Sequence, residues 1–209
     1  MIAAALIAPV LPVMGHQGQY TEFVNHCDRP IAFHQAFPEG PDGEPGYDGP
    51  HYNLAPNGGG HTIEMHQPIG EHKQGISKKF RWAGDSHLDG VMQSTGNCKT
   101  TTDISIRHEY TVSYAADSLG VSWDGSLVDG AGPGMKGPGP FSGVNVKMAP
   151  IGNSDYDHYG DCAPILCWAN QVCHGVYLFE KDDTKTLTCS ADVEAFTIDF
   201  CAPDDLMYR

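Results

Sequence analysis

Seven cysteines are the sequence feature that most constrains how this chain can fold. Residues 1–15 form an apolar stretch that is too short to span a bilayer and is typical of a secretory signal peptide, with cleavage expected after Gly15. Because the extracellular environment oxidises thiols, we expect disulfides within the mature residues 16–209. An odd number of cysteines leaves at least one without a partner in the chain, and their spacing alone does not assign the pairs.

The glycine and proline content favours a mainly β fold. The chain has 25 glycines and 15 prolines, which break helices and serve turns, and no segment has the pattern of an amphipathic helix. We expect exposed loops at residues 38–50 and 130–140, where these two residue types are concentrated. Strand-like patterns occur at residues 21–25, 61–65, 103–114 and 142–148. With 40% hydrophobic residues, residues 16–209 are expected to bury the core of a single domain.

The charge balance excludes two classes of partner. Lysine and arginine number 12 against 26 aspartates and glutamates, which gives a net charge of −14. Such a protein repels phosphate backbones and anionic lipid headgroups, so we expect neither a nucleic-acid partner nor a membrane. A neutral polysaccharide meets no such repulsion, although the acidity also serves simple solubility.

Motifs along nearly the whole chain resemble, in the same order, those of the thaumatin-like proteins. The most specific is residues 123–130, in which Asp124 and Asp129 lie five residues apart as they do in the family. The end of the chain is also similar to the family, with an aromatic run, adjacent carboxylates and two strands that each lead into a cysteine. Further matching motifs lie at residues 23–27, 54–63, 95–100 and 108–112. Two positions depart from the pattern, because His61 stands where tryptophan is usual and Cys98 lacks the second cysteine of its motif.

The resemblance implies a flattened β-sandwich or barrel with long loops, cross-linked in a defined way. Full-length relatives have a large cystine-rich lobe between the positions of Cys167 and Cys173, where this chain has only a few residues. The chain therefore resembles a small type with a reduced appendage tied by a disulfide. Cys98 is left without a partner. The implied disulfides are Cys27–Cys201, Cys162–Cys189 and Cys167–Cys173.

The resemblance also implies an acidic cleft. Thaumatin-like proteins that cleave glucan have a cleft lined by one arginine and four acids. Arg81 is the nearest candidate for the arginine, although the family position corresponds to Phe80. By position, Glu109 is implied as proton donor and Asp124 as its catalytic partner, while the implied substrate-binding residues are Arg81, Asp129, Asp182 and Asp183.

These acids suit glycosidic cleavage, which needs one protonated and one ionised carboxyl group. They equally suit the capping of turns, so the sequence leaves their role open. The resemblance implies a secreted monomer that requires no cofactor and binds cell-wall β-1,3-glucan, with hydrolysis left open. The aromatic residues Trp82, Trp123, Trp168, Tyr156 and Tyr159 are candidates either for stacking on sugars or for core packing.

Two alternatives from other classes stay open. The first is a noncatalytic module that binds carbohydrate, acts on a host or inhibits another enzyme, since fold does not determine chemistry. The second is a copper-dependent polysaccharide monooxygenase, in which His16 would chelate the metal as the first residue after cleavage. The 11 histidines of the chain prompt this second hypothesis, but no zinc-type spacing accompanies them.

Overall fold

The computed structural model describes residues 19–37, 47–65, 76–83, 106–113, 120–127, 141–152, 162–179, 182–190 and 193–209. In these residues the chain forms eleven strands, a 3-10 helix at Asp183–Lys185 and one α-helix, α1, at Asp204–Met207. The strands are β1 Tyr20–Asn25, β2 Ile31–Phe37, β3 Tyr47–Leu54, β4 Gly59–Glu64, β5 Ile76–Trp82, β6 Ile106–Ser113, β7 Gly120–Ser126, β8 Val146–Ile151, β9 Ile165–Cys167, β10 Leu187–Cys189 and β11 Ala195–Phe200. The prediction of a mainly β fold is confirmed.

The strands form two sheets that pack face to face. The five-stranded sheet has the order β4-β1-β11-β8-β9, and the six-stranded sheet has the order β10-β7-β6-β5-β2-β3. Among the described strands only β1 and β11 pair in parallel, and they join the two ends of the described chain in the middle of the five-stranded sheet. Buried and half-buried residues alternate along β1, because successive side chains of a strand point to opposite faces.

Aromatic side chains from both sheets form the centre of the core. Each of these side chains is at most 2% exposed, and their rings contact one another across the space between the sheets. Buried rings of this size contribute large apolar areas, so they dominate the energy of sheet packing. The pairs with their centroid distances are Phe23–Phe33 at 4.7 Å, Phe80–Phe200 at 4.9 Å and Trp123–Phe196 at 4.9 Å.

Three disulfides brace this sandwich, and they are the three pairs that the resemblance implies. Cys27–Cys201 links the residues that follow β1 and β11 across a sequence separation of 174. Cys162–Cys189 ties the end of β10 to the segment before β9. Cys167–Cys173 closes a short loop after β9, with a separation of only 6 residues.

The predicted loop at 38–50 ends earlier than expected, because β3 begins at Tyr47 and includes Pro50. The register between β2 and β3 shifts at Gln35, so that Gly49 and Pro50 together lie opposite this one residue. Proline donates no backbone hydrogen bond and is therefore confined to edge strands or bulges, and this position is both. The strand predicted at 142–148 instead begins at Val146, since residues 141–143 form a turn.

Candidate functional site

Glu109 and Asp124 lie directly opposite each other where β6 pairs with β7. On the other side of Glu109, Ser77 of β5 is its direct partner. Paired positions of an antiparallel sheet share one face, about 5 Å apart. This is the outer face of the six-stranded sheet, because the alternate residues Trp123 and Phe80 are buried in the core. The register therefore brings together the two positions that the sequence assigned to catalysis.

Basic residues occupy the next row of the same face. Lys79 of β5 pairs directly with Arg107 of β6, and Arg107 is two residues before Glu109 on the same strand. Because residues two apart on a strand lie on one face at about 7 Å, both cations border the Glu109 position. Sequence reasoning missed both residues. The alternation of Arg107 with Glu109 was visible in the sequence, but only the strand register adds Lys79.

Arg81 is at a distance from the paired acidic positions. It is four residues beyond Ser77 on β5, which corresponds to about 13 Å along the strand. Phe80, which stands at the position where the resemblance implies arginine, is 0% exposed and belongs to the core. The positions of Lys79 and Arg107 are nearer to Glu109 in the strand register than that of Arg81.

The segment that carries Asp182 and Asp183 precedes β10, which pairs with β7 on the side opposite β6. Leu187 of β10 pairs with Trp123, the neighbour of Asp124. Asp182 is 8% exposed, and its Oδ1 accepts a hydrogen bond of 3.3 Å from the Thr184 hydroxyl. Asp182 thus supports the 3-10 helix locally. Its predicted contact with sugar hydroxyls stays a prediction.

Tyr177 extends the sheet beyond β10 along the same edge of β7. Its N–H donates to the Gly125 carbonyl and its carbonyl accepts from the Leu127 N–H, each at 2.8 Å. The Tyr177 hydroxyl contacts the Thr186 hydroxyl at 2.5 Å. Phe179, two residues further on, is 54% exposed. Aromatic side chains therefore border the carboxylate face, a feature that sequence reasoning did not single out.

The tryptophans have three different environments. Trp123 is 1% exposed and packs in the core. Trp82 is partly buried, with its ring 4.7 Å from that of Phe141 and the Arg29 guanidinium 4.8 Å from its centroid. Trp168 is partly buried beside an exposed tyrosine. Of the three, only Trp168 offers a ring surface beside an exposed aromatic partner.

Several predicted residues lie outside the described part of the chain. They include the proposed signal peptide at 1–15, the candidate copper ligand His16, the unpaired Cys98, the predicted sugar ligand Asp129 and the aromatic residues Tyr156 and Tyr159. Within the described residues, no group of three or more His, Cys, Asp or Glu side chains could hold a metal ion. The described helices also include none that is long and apolar enough to cross a membrane.

Neither protein-family models nor curated proteins gave a match to the chain. Among solved structures, the protein elicitor MoHrip2 from Magnaporthe oryzae is similar, with a TM-score of 0.50 and 16% identity, over 88% of this chain and 99% of that one. The thaumatin-like xylanase inhibitor TLXI has a TM-score of 0.44 and 14% identity, over 87% and 99%. Similarity at these identities concerns the fold. From its two-sheet topology and its likeness to MoHrip2 along most of its length, the chain has a thaumatin-like fold.

Proposed function

We propose that this chain is a secreted thaumatin-like protein whose outer six-stranded face binds neutral cell-wall β-1,3-glucan. The observation that carries the proposal is the direct pairing of Glu109 with Asp124 on that face. Its three disulfides support an extracellular location, since such bonds persist in oxidising compartments.

A row of acids beside a row of cations suits a ligand rich in hydroxyl groups. Carboxylates only accept hydrogen bonds, whereas lysine and arginine only donate them. A sugar hydroxyl both donates and accepts, so it can bind between the Glu109 and Asp124 row and the Lys79 and Arg107 row. The exposed ring of Phe179 and the ring of Tyr177 at the edge add apolar surface for the faces of sugar rings.

Hydrolysis is the extension of this proposal. In retaining glycosidases the two carboxyl groups are roughly 5 to 5.5 Å apart. Directly opposite residues of an antiparallel sheet have Cβ atoms about 5 Å apart, so the pairing allows both carboxyl groups to reach one glycosidic bond. Glu109 would then donate the proton to the leaving oxygen, and Asp124 would act as the ionised partner.

A noncatalytic interaction module is the second candidate. The observation in its favour is the Cys167–Cys173 disulfide, which closes a loop of a few residues where lobe-bearing relatives build one wall of the cleft. A cleft with one wall excludes less water from a bound sugar, which weakens the electrostatic part of catalysis. A role as an elicitor, the description of the Magnaporthe oryzae protein of similar fold, belongs to this second candidate.

The two candidates are separated by measuring binding and cleavage in parallel. Purified Glu109→Gln and Asp124→Asn are compared with wild type for co-sedimentation with insoluble β-1,3-glucan and for release of reducing sugar. Glu64→Gln is the matched control, because it makes the same chemical change at an exposed position on the edge strand of the other sheet.

We expect both cleft variants to bind glucan more weakly, and Glu64→Gln to behave as wild type. Release of sugar by wild type and Glu64→Gln that is lost in both Glu109→Gln and Asp124→Asn establishes the hydrolase. Binding by wild type without release of sugar, weakened in both cleft variants, establishes the noncatalytic module. Equal glucan binding by wild type and both cleft variants would show that this face does not bind glucan.

A further inference from the structure

Tyr208 is the most exposed of the large hydrophobic residues in the described chain. It is 79% exposed, and its ring centroid lies 5.2 Å from that of Trp168 at an angle of 47°. Val172, in the same loop as Trp168, is 55% exposed. An exposed aromatic ring that packs on a half-buried one from a separate segment, with an exposed valine in the same loop, indicates an interaction site, because single exposed apolar residues are ordinary but clusters are not.

One half-buried side chain, Asn145, ties together the two segments that carry the rings. The Asn145 side-chain oxygen accepts a hydrogen bond of 2.9 Å from the N–H of Ala169, the residue after Trp168. The Asn145 side-chain nitrogen donates to the Ala202 carbonyl at 3.1 Å and to Asp204 Oδ1 at 3.0 Å, just before and at the start of α1. The two rings are therefore positioned before any ligand arrives, which lowers the entropy cost of binding.

Further bonds fix each segment separately. The Asn170 N–H donates to the Ser142 carbonyl at 2.6 Å, and the Cys167–Cys173 disulfide closes the Trp168 loop. On the other segment, Lys147 Nζ donates to the Leu206 carbonyl at 2.7 Å. The backbone that carries each ring is therefore held by hydrogen bonds, and the Trp168 loop also by a disulfide.

The pair lies on the opposite side of the sandwich from the carboxylates. On β8, Met148 points inward, since its sulfur lies 3.1 Å from the Cβ position of Gly125 in the facing sheet. Lys147, its neighbour, therefore points outward and holds α1 on the outer face of the five-stranded sheet. Asp124 is on the outer face of the other sheet, so the Trp168–Tyr208 pair cannot belong to the same cleft.

The charges around the pair select a neutral ligand. Asp204 and Asp205 lie exposed in the first turn of α1, three to four residues before Tyr208, and the whole chain carries a net charge of −14. An anionic polymer or lipid surface would be repelled. The charge of Arg209 is already paired with Asp205 at 3.1 Å, and Lys147 Nζ binds the Leu206 and Arg209 carbonyls.

The small size of the pair argues against a stable protein partner, because two rings cover far less than the roughly 800 Å² per partner that a specific protein interface needs. We propose that Trp168 and Tyr208 form a second binding site, which stacks against the sugar rings of a neutral polysaccharide. This site is independent of the function proposed above. With binding surfaces on opposite faces, one molecule would bridge two polysaccharide chains and gain avidity on an insoluble wall.

The test compares Tyr208→Ala and the double variant Trp168→Ala/Tyr208→Ala with wild type. Tyr208→Phe is the matched control, because it keeps the ring and removes only the hydroxyl. Binding isotherms are measured on insoluble β-1,3-glucan, cellulose and xylan as neutral probes, with thermal unfolding of each variant as the check on folding. Because Tyr208 is so exposed, Tyr208→Ala is expected to fold even if the double variant does not.

We expect the apparent dissociation constant on at least one neutral polysaccharide to rise about tenfold in Tyr208→Ala, the order that one aromatic contact contributes, and to stay unchanged in Tyr208→Phe. Unchanged binding in folded Tyr208→Ala overturns the inference, and so does a wild type that binds none of the three probes. A wild-type dimer that Tyr208→Ala converts to monomer, without any change in polysaccharide binding, also overturns it and assigns the rings to a second copy of the chain.

The same isotherms with Asp124→Asn keep this inference apart from the proposed function. If Asp124→Asn abolishes binding and Tyr208→Ala leaves it intact, the cleft stands and the second site fails. If Tyr208→Ala weakens binding and Asp124→Asn leaves it intact, the second site stands and the cleft fails. Additive losses in a variant carrying both substitutions support two separate sites.

Discussion

The disulfide between Cys27 and Cys201 is expected to contribute more stability than either of the other two. It joins residues separated by 174 positions. In the chain-entropy model, closing so long a loop in the unfolded state is worth about 5 kcal/mol. Domains of this kind have a total free energy of unfolding of roughly 5 to 15 kcal/mol, so Cys27→Ala/Cys201→Ala should lose about a third of it or more.

The other two disulfides close shorter loops, so the same model predicts a smaller stabilisation for each of them. Cys162–Cys189 has a sequence separation of 27, for which the model gives about 3.5 kcal/mol. Cys167–Cys173 has a separation of 6, for which it gives about 2 kcal/mol. All six cysteines of these disulfides are partly or fully buried, and each variant replaces one pair by alanine. The three variants therefore lose similar packing contacts and differ mainly in the length of the loop that the disulfide closed.

The assay is equilibrium unfolding in urea, followed by tryptophan fluorescence. Trp123 packs against Phe196 of the other sheet at 4.9 Å, so its emission reports separation of the two sheets. Each alanine pair is made in a Cys98→Ala background, which prevents disulfide exchange with the remaining thiol. If the Cys167–Cys173 variant loses as much stability as the Cys27–Cys201 variant at equal m-values, loop length does not govern the stabilisation and the reasoning is refuted.

Two further substitutions test packing and the C-terminal contact. Gly125→Ala is expected to lower the free energy of unfolding by about 1 to 3 kcal/mol, because the added Cβ would lie 2.7 Å from the buried Val176 Cγ1. Gly143→Ala is the control and should change this free energy little, because nothing lies within 4 Å of its Cβ position. Equal free energies for the two variants in urea unfolding would contradict the packing argument. Lys147→Met removes a charged donor from the Leu206 carbonyl and is expected to cost about 1.5 to 3 kcal/mol, with faster amide exchange throughout α1; unchanged exchange there would show that this lysine does not hold the helix.

The sequence predicted the class of fold well because strand signals are local. The period-two pattern in residues 103–114 predicts a strand, and β6 occupies Ile106–Ser113 of that range. The strand predicted at residues 21–25 lies within β1, Tyr20–Asn25. The prediction of a loop at residues 38–50 was less accurate at the C-terminal end of that range. Gly49 and Pro50 predict a loop in any sequence, and only the position of β3 at the sheet edge makes a bulged strand possible there.

The candidate site was predicted only in part. The resemblance selected Glu109 and Asp124, and the register places them side by side, although their function stays a proposal. Lys79 was missed because its closeness to Glu109 depends on which residue of β5 faces β6. A one-residue slip would have put it on the other face, and nothing local in the sequence specifies that register.

The sequence by itself determined a mainly β chain that is acidic and rich in cysteine, because propensity, alternation and charge are properties of residues and their near neighbours. The tertiary structure alone decided which distant residues meet. It set the acids beside the cations on one face, and it joined Trp168 to Tyr208 through Asn145 on the other. Such meetings depend on how the two sheets pack and pair over long separations, and no short stretch of sequence carries that information.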